Sequence, residues 1–238
     1  MQFWSLKNLV SYEAARKLQH EFVEKRALDL IPDTVLFLEH ASVVTQGRGL
    51  QFAGTERPRH MPLPMLPPEI EFAESERGGD LTWHGPGQLV IYPIVKLDGS
   101  GFGPDHDVTT FLRQLENLVI DELGSLGLNA NAHDNATGVW IGDRKIASLG
   151  IAVRKWVSYH GIALNVVNDL APFHLISPCG FDPEVMTRLQ DFPSAWSRIE
   201  GAQWRRVLES RIACRFEMGA EVVESDKPLT VADSSQFK

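Results

Sequence analysis

A chain of 238 residues, 43% hydrophobic and 23% charged, is long enough to bury a sizeable core and has the composition of an ordinary globular protein. Its net charge of −8 argues against a nucleic-acid partner, because binding phosphates draws on a basic excess. Two cysteines, Cys179 and Cys214, exclude a disulfide framework and a CxxC metal site.

The opening stretch MQFWSLKNLVSYEAARK lacks the basic start and apolar core of a secretory signal. No window offers the roughly 18 apolar residues of a membrane span, so a cytoplasmic protein with no membrane association is expected. Residues 11–28 set Ala14, Ala15, Leu18, Phe22 and Val23 on one stripe behind a possible Ser11 cap, which predicts a helix packed on a sheet. The run TVLFLEH (34–40) reads as a buried strand by its β-branched and aromatic content. Residues 57–68 carry five prolines and predict an extended loop or flap. QLVIYPIV (88–95) predicts a strand, and 106–127 an amphipathic helix through Phe111, Leu112, Leu115, Leu118, Val119 and Leu123. Strand patterns continue at 138–142, 145–153 and 161–167, and helical period returns at 202–218, where Cys214 is expected to be an inert packing thiol. Strands and helices mix without regular βαβ alternation, so the expected class is α+β, with one domain over 1–220 and a polar tail over 221–238.

Two segments carry chemistry. In RGGDLTWHGPGQ (77–88), four glycines let backbone amides approach a ligand, while Arg77 can add charge and Thr82 and His84 can add hydrogen bonds. The plainer alternative is a glycine-rich hairpin at a sheet edge. In ISPCG (176–180), Cys179 sits between a proline and a glycine, which predicts a shaped turn holding a thiol. His84 and His160 both precede glycine, whereas His20, His60, His106 and His174 read as surface or packing residues. No HxH or HExxH spacing appears, so no metal is expected.

RGGDLTWHGPGQ resembles the signature of the lipoyl(octanoyl) transferase family, and further matches follow in the same chain order: LEHASVVTQGR (38–48), GVWIGDRKIASLGIAV (138–153), HGIALNV (160–166) and ISPCG. Asp80 and Trp83 stand where the family more often has glutamine and tyrosine. The resemblance implies a mixed, largely antiparallel sheet flanked by helices, like the catalytic domain of biotin and lipoate protein ligases. It implies transfer of an octanoyl or lipoyl group from acyl carrier protein to a lysine of the lipoyl domains of 2-oxoacid dehydrogenases and of the glycine cleavage H protein, with no cofactor. Cys179 is the implied nucleophile and Lys145 its partner. The implied substrate-binding residues are Arg77, Gly78, Gly79, Asp80, Leu81, Thr82, Trp83, His84, Ser148, Leu149, Gly150, Gly161, Ile162 and Ala163. A neighbouring ammonium would stabilise a thiolate, and a partly buried lysine could take the proton of an incoming amine. Backbone amides near Gly85 or Gly180 could hold the oxyanion. Two other readings stand beside this one. An ATP-dependent lipoate or biotin ligase would need no nucleophilic cysteine, and a non-catalytic binding module would need neither Cys179 nor Lys145.

Overall fold

The computed structural model describes residues 1–51, 66–133, 136–176, 183–199 and 203–218. In chain order the strands and α-helices are β1 (Gln2–Val10), α1 (Tyr12–Ala27), β2 (Thr34–His40), β3 (Val43–Gln46), β4 (Glu71–Glu74), β5 (Leu81–His84), β6 (Gln88–Ile94), α2 (Val108–Ser125), β7 (Ala130–His133), β8 (Ala136–Ile141), β9 (Arg144–Arg154), β10 (Val157–Asn165), α3 (Pro193–Trp196) and α4 (Trp204–Met218). Seven strands form one sheet in the order β1-β2-β6-β10-β9-β8-β7, and three form a small second sheet, β4-β3-β5. In the large sheet only β1–β2 is parallel, joined through α1 as a crossover; every other neighbouring pair is antiparallel. The architecture is the mixed, largely antiparallel α+β class expected.

Alternation along the strands sorts side chains onto the two faces of the large sheet. On β2, Val35 and Phe37 join Leu89, Ile91, Ile162 and Leu164 under α2 and α4, with Phe111, Leu115, Leu208, Ile212 and Phe216 closing that core. Leu36 and Leu38 face the other way, where Ala15, Phe22 and Val23 of α1 meet Val90, Tyr92 and Tyr159. The small sheet contributes Val44, Leu81 and Trp83 to a third cluster with Phe173, Ile176 and Met186.

Most predicted elements appear with shifted ends. Ser11 caps α1 as expected, its Oγ accepting from Ala14 N. The buried face of α1, however, is Tyr12, Ala15, Gln19, Phe22 and Val23, with Ala14 exposed. Helix α2 buries Glu116 and Glu122 among its apolar stripe. Strand β10 begins four residues before its predicted start because Lys155 and Trp156, both at positive φ, close a two-residue hairpin from β9. Cys214 is exposed, not packed. The stripe Leu208, Ile212, Phe216 runs at i, i+4, i+8 and turns position 214 away from the core. Most of the expected proline-rich loop, the 221–238 tail and Cys179 with its turn lie outside the described residues.

Candidate active site

A narrow cleft, partly open to solvent, lies on the α1 face of the large sheet and is closed over by the segment leading into β5. Twelve of the residues singled out from sequence line it: Arg77, Gly79, Thr82, His84, Lys145, Ser148, Leu149, Gly150, His160, Gly161, Ile162 and Ala163. Tyr12 and Tyr92 complete the wall. Gly78, Asp80, Leu81 and Trp83 are not part of it. Strand alternation accounts for the last two: on β5, Thr82 and His84 face the cleft, while Leu81 and Trp83 turn into the cluster around Phe173. Trp83 stacks edge-on against Phe173 at 5.5 Å between centroids and donates from Nε1 to Ser42 Oγ at 2.9 Å.

The glycine-rich loop acts through tight backbone contacts. Gly78 N donates to Ile151 O at 2.9 Å, docking the loop on β9. A Cβ on Gly150 would sit 2.7 Å from Gly78 O, so only glycine permits this approach. Arg77 is 7% exposed, and its guanidinium donates to Thr45 Oγ1, Thr45 O, Gly78 O and Asp80 O. These bonds make Arg77 a clamp that ties the loop to β3. The Gly87 amide is likewise engaged, donating to Glu39 Oε2 at 2.7 Å.

At one end of the cleft the aromatic rings are ordered. Tyr12 lies parallel to His84 and to His160, with centroids 6.5 and 6.3 Å away. Its hydroxyl donates to Ser75 Oγ at 2.6 Å. Behind them, His40 contacts Val10 O through Nδ1 and the Tyr92 hydroxyl through Nε2. Burial holds His84 well below the usual imidazole range and His40 near 4. Burial also lowers His160, against the pull of Glu76, whose Oε2 lies 3.4 Å from Nε2 outside hydrogen-bond geometry. The two phenols are pushed up by burial. At neutral pH these imidazoles and phenols are therefore uncharged, and the wall suits an apolar chain. His160 also sits at φ +57 inside β10, its N–H held by Gln19 Oε1 at 2.6 Å.

Lys145 lies at the other end, near the start of β9. It is 3% exposed, donates from Nζ to Thr137 O at 2.8 Å, and stands 5.5 Å from the Trp140 ring centroid. Its backbone carbonyl accepts from Thr187 N at 3.0 Å, and Met186 forms a parallel bridge with it. The chain that leaves Ile176 before Cys179 starts from the cluster around Trp83, and the chain that follows Cys179 returns to Lys145. Sequence reasoning missed Tyr12, Tyr92 and His40: an aromatic at the first turn of a helix and polar groups inside apolar strands read as packing residues.

The family model for the lipoyl protein ligase A/B catalytic domain matches residues 11–210. The chain is 41% identical over 214 residues to the octanoyltransferase of Syntrophobacter fumaroxidans, covering 88% of each chain. It is 42% identical over 171 residues to that of Geobacter metallireducens, covering 72% of this chain and 74% of the relative. Among solved structures, lipoate-protein ligase A bound with ATP superimposes with a TM-score of 0.59 at 17% identity, over 92% of this chain and 85% of that one. The bi-partite lipoate protein ligase of Thermoplasma acidophilum does so with a TM-score of 0.56 at 17% identity, over 92% and 84%. These structures share the fold, and with the family match and the curated relatives they lead to one conclusion: the chain belongs to the lipoyl protein ligase A/B catalytic domain family, on its octanoyltransferase side.

Proposed function

We propose that this acyltransferase carries an octanoyl group from acyl carrier protein to a lysine of lipoyl domains through a thioester on Cys179, with Lys145 as its acid-base partner. The curated relatives make octanoyl transfer in protein lipoylation the activity of the chain; the donor, the acceptors and the covalent step are the reading offered here. The observation that carries it is Lys145, a buried lysine at the end of a cleft whose aromatic and imidazole lining is neutral.

As an ammonium, Lys145 favours the Cys179 thiolate. The thiolate attacks the octanoyl thioester carbonyl, the carbon–sulfur bond to the carrier breaks, and the departing carrier thiolate takes a proton from Lys145. The amine of the acceptor lysine then attacks the acyl-enzyme, Lys145 removes a proton from it, and the Cys179 thiolate leaves as the amide forms. The thioester supplies the free energy of the amide bond, so the reaction draws on no cofactor. Acceptors are lipoyl domains of 2-oxoacid dehydrogenases and the glycine cleavage H protein. The dense hydrogen bonding of Arg77, Gly78 and Gly87 leaves these groups as scaffold, and the acyl chain lies against Thr82, His84, Ser148, Gly150, Gly161 and Ala163.

Intact mass after mixing with octanoyl carrier protein tests the reading. The expected result is one octanoyl adduct, absent in Cys179→Ser, and transfer to a lipoyl domain without ATP. An ATP requirement, or full activity of Cys179→Ser, would hand the case to a ligase.

A further inference from the structure

Glu116 is the least expected residue on α2. It is wholly buried, as is Glu122, on a helix face otherwise made of Phe111, Leu115, Leu118, Val119 and Leu123, where a carboxylate is costly and a leucine would pack more cheaply. Its two oxygens are both used. Oε2 accepts from Arg113 Nη1 at 2.6 Å, and Oε1 accepts from Gly138 N at 2.9 Å.

The second bond reaches the candidate site. Gly138 N–H and Thr137 C=O belong to one peptide group, and that carbonyl is the acceptor for Lys145 Nζ. A trans peptide is planar and points its N–H and C=O in opposite directions. Glu116 on the α2 face and Lys145 on the cleft face therefore grip the same rigid plate from its two sides. The sheet offers the plate less support here, because the β7–β8 register shifts between Ala132, opposite Val139, and His133, opposite Ala136, and passes over Thr137 and Gly138. Hydrogen bonds in line also polarise one another, so the anion-facing N–H strengthens the carbonyl as an acceptor for an ammonium.

We propose that Glu116 is a positioning residue for Lys145, acting through the single peptide group that joins Thr137 to Gly138. The inference rests on the role proposed above for Lys145, and the experiment separates the two. Single-turnover transfer is measured for Glu116→Met, Glu116→Gln, Lys145→Ala and the double variant Glu116→Met/Lys145→Ala. Methionine fills the volume of Glu116 without an acceptor, whereas glutamine can still accept from Gly138 N.

Glu116→Met is expected to lower turnover about tenfold or more with KM for the carrier little changed, as for a misplaced catalytic group. The pH midpoint belonging to Lys145 should fall, since a firmly held acceptor favours the charged form. In the Lys145→Ala background Glu116→Met should add nothing, while with Lys145 intact Glu116→Gln should keep most of the turnover that Glu116→Met loses. Full activity of Lys145→Ala would instead overturn the function reading and leave Glu116 nothing to position. With Lys145→Ala inactive, wild-type turnover in folded Glu116→Met, an additive loss in the double variant, or no recovery by Glu116→Gln each overturns the inference. Should Glu116→Met not fold, Glu116→Gln decides: turnover within about threefold of wild type at an unmoved pH midpoint supports it, and a loss beyond tenfold in a folded protein overturns it.

Discussion

Gly138 leaves no room for a side chain beside Lys145: a Cβ there would lie 2.4 Å from Lys145 Cε and 3.1 Å from its Nζ. Gly138 also sits at φ +139, a conformation that disfavours any other residue. Gly138→Ala should thus displace the lysine and strain the strand together, at about 1–3 kcal/mol for the backbone alone. The expected outcome is a lower melting temperature and a fall in turnover larger than any change in carrier KM, read from thermal melts and steady-state kinetics on the same preparation.

The arginines divide into ion-paired ties and exposed cations. Arg205 donates to Glu209 at 2.9 Å and to Glu39 at 3.0 Å, and Glu39 in turn holds Gly87 N, so a chain of bonds runs from α4 to the turn before β6. Arg211 is bound to Glu122 and Ser125. Arg48, Arg144 and Arg206 are exposed. If the donor is an acidic carrier protein, a net charge of −8 repels it and it must dock on local cations. Arg144→Glu should raise carrier KM severalfold at low salt with no change in melting temperature. Arg205→Ala should do the reverse, costing on the order of 2 kcal/mol of stability through its lost charged hydrogen bonds. Salt should raise carrier KM in the wild type; a KM independent of ionic strength would remove the electrostatic argument.

Legibility in the sequence followed the physics of each signal. Helix α2 was plain because Phe111, Leu115, Leu118 and Val119 repeat at helical spacing, and Ser11 announced the start of α1 by its capping chemistry. Strand β1 was not seen, since Lys7 and Asn8 interrupt its alternation near the shift in its pairing with β2. The β9–β10 hairpin was hidden because Lys155 and Trp156 occupy positions where glycine or asparagine is the usual signal. In the site, the glycine loop stood out as a motif, whereas Lys145 stood out only through the family resemblance, since a lone strand-end lysine reads as solvated. Glu116 did not: a carboxylate on a helix reads as solvated, and only the fold brings it under Gly138.

Acid should destabilise the protein in two windows. His40 is held near 4 in the folded chain against 6.5 when free, so as pH falls the unfolded state takes up the proton first. Stability is complete above about 6.5 and is lost between there and 4, by about 3 kcal/mol at 1.36 kcal/mol per pH unit. Lowered His84 and His160 act in the same direction. Glu76 is held near 2, first by His160, against 4.5 when free; its contribution is present above 4.5 and goes as pH falls through 2. Urea melts from pH 7.5 to 4 should show falling stability, and His40→Gln, which retains a donor without titrating in this range, should flatten the slope. An unchanged slope in that variant would place the acid sensitivity elsewhere.

The two cysteines should differ in what their modification does. Cys214 is exposed on α4, on the side turned away from the stripe of Leu208, Ile212 and Phe216. Alkylating agents reach such a thiol without disturbing the core, so its labelling should leave octanoyl transfer intact, and Cys214→Ser should be nearly silent. If Cys179 is the acyl carrier, its alkylation converts the thiol to a thioether that cannot form the thioester, and transfer stops in proportion to its labelling. Peptide mass mapping against residual activity separates the two sites in one titration. Activity should track Cys179 alone, and prior acylation by octanoyl carrier protein should protect Cys179 while leaving Cys214 open to reagent. Activity that tracks Cys214, or a Cys179 that the acyl donor does not protect, would mean that the thioester forms elsewhere or not at all.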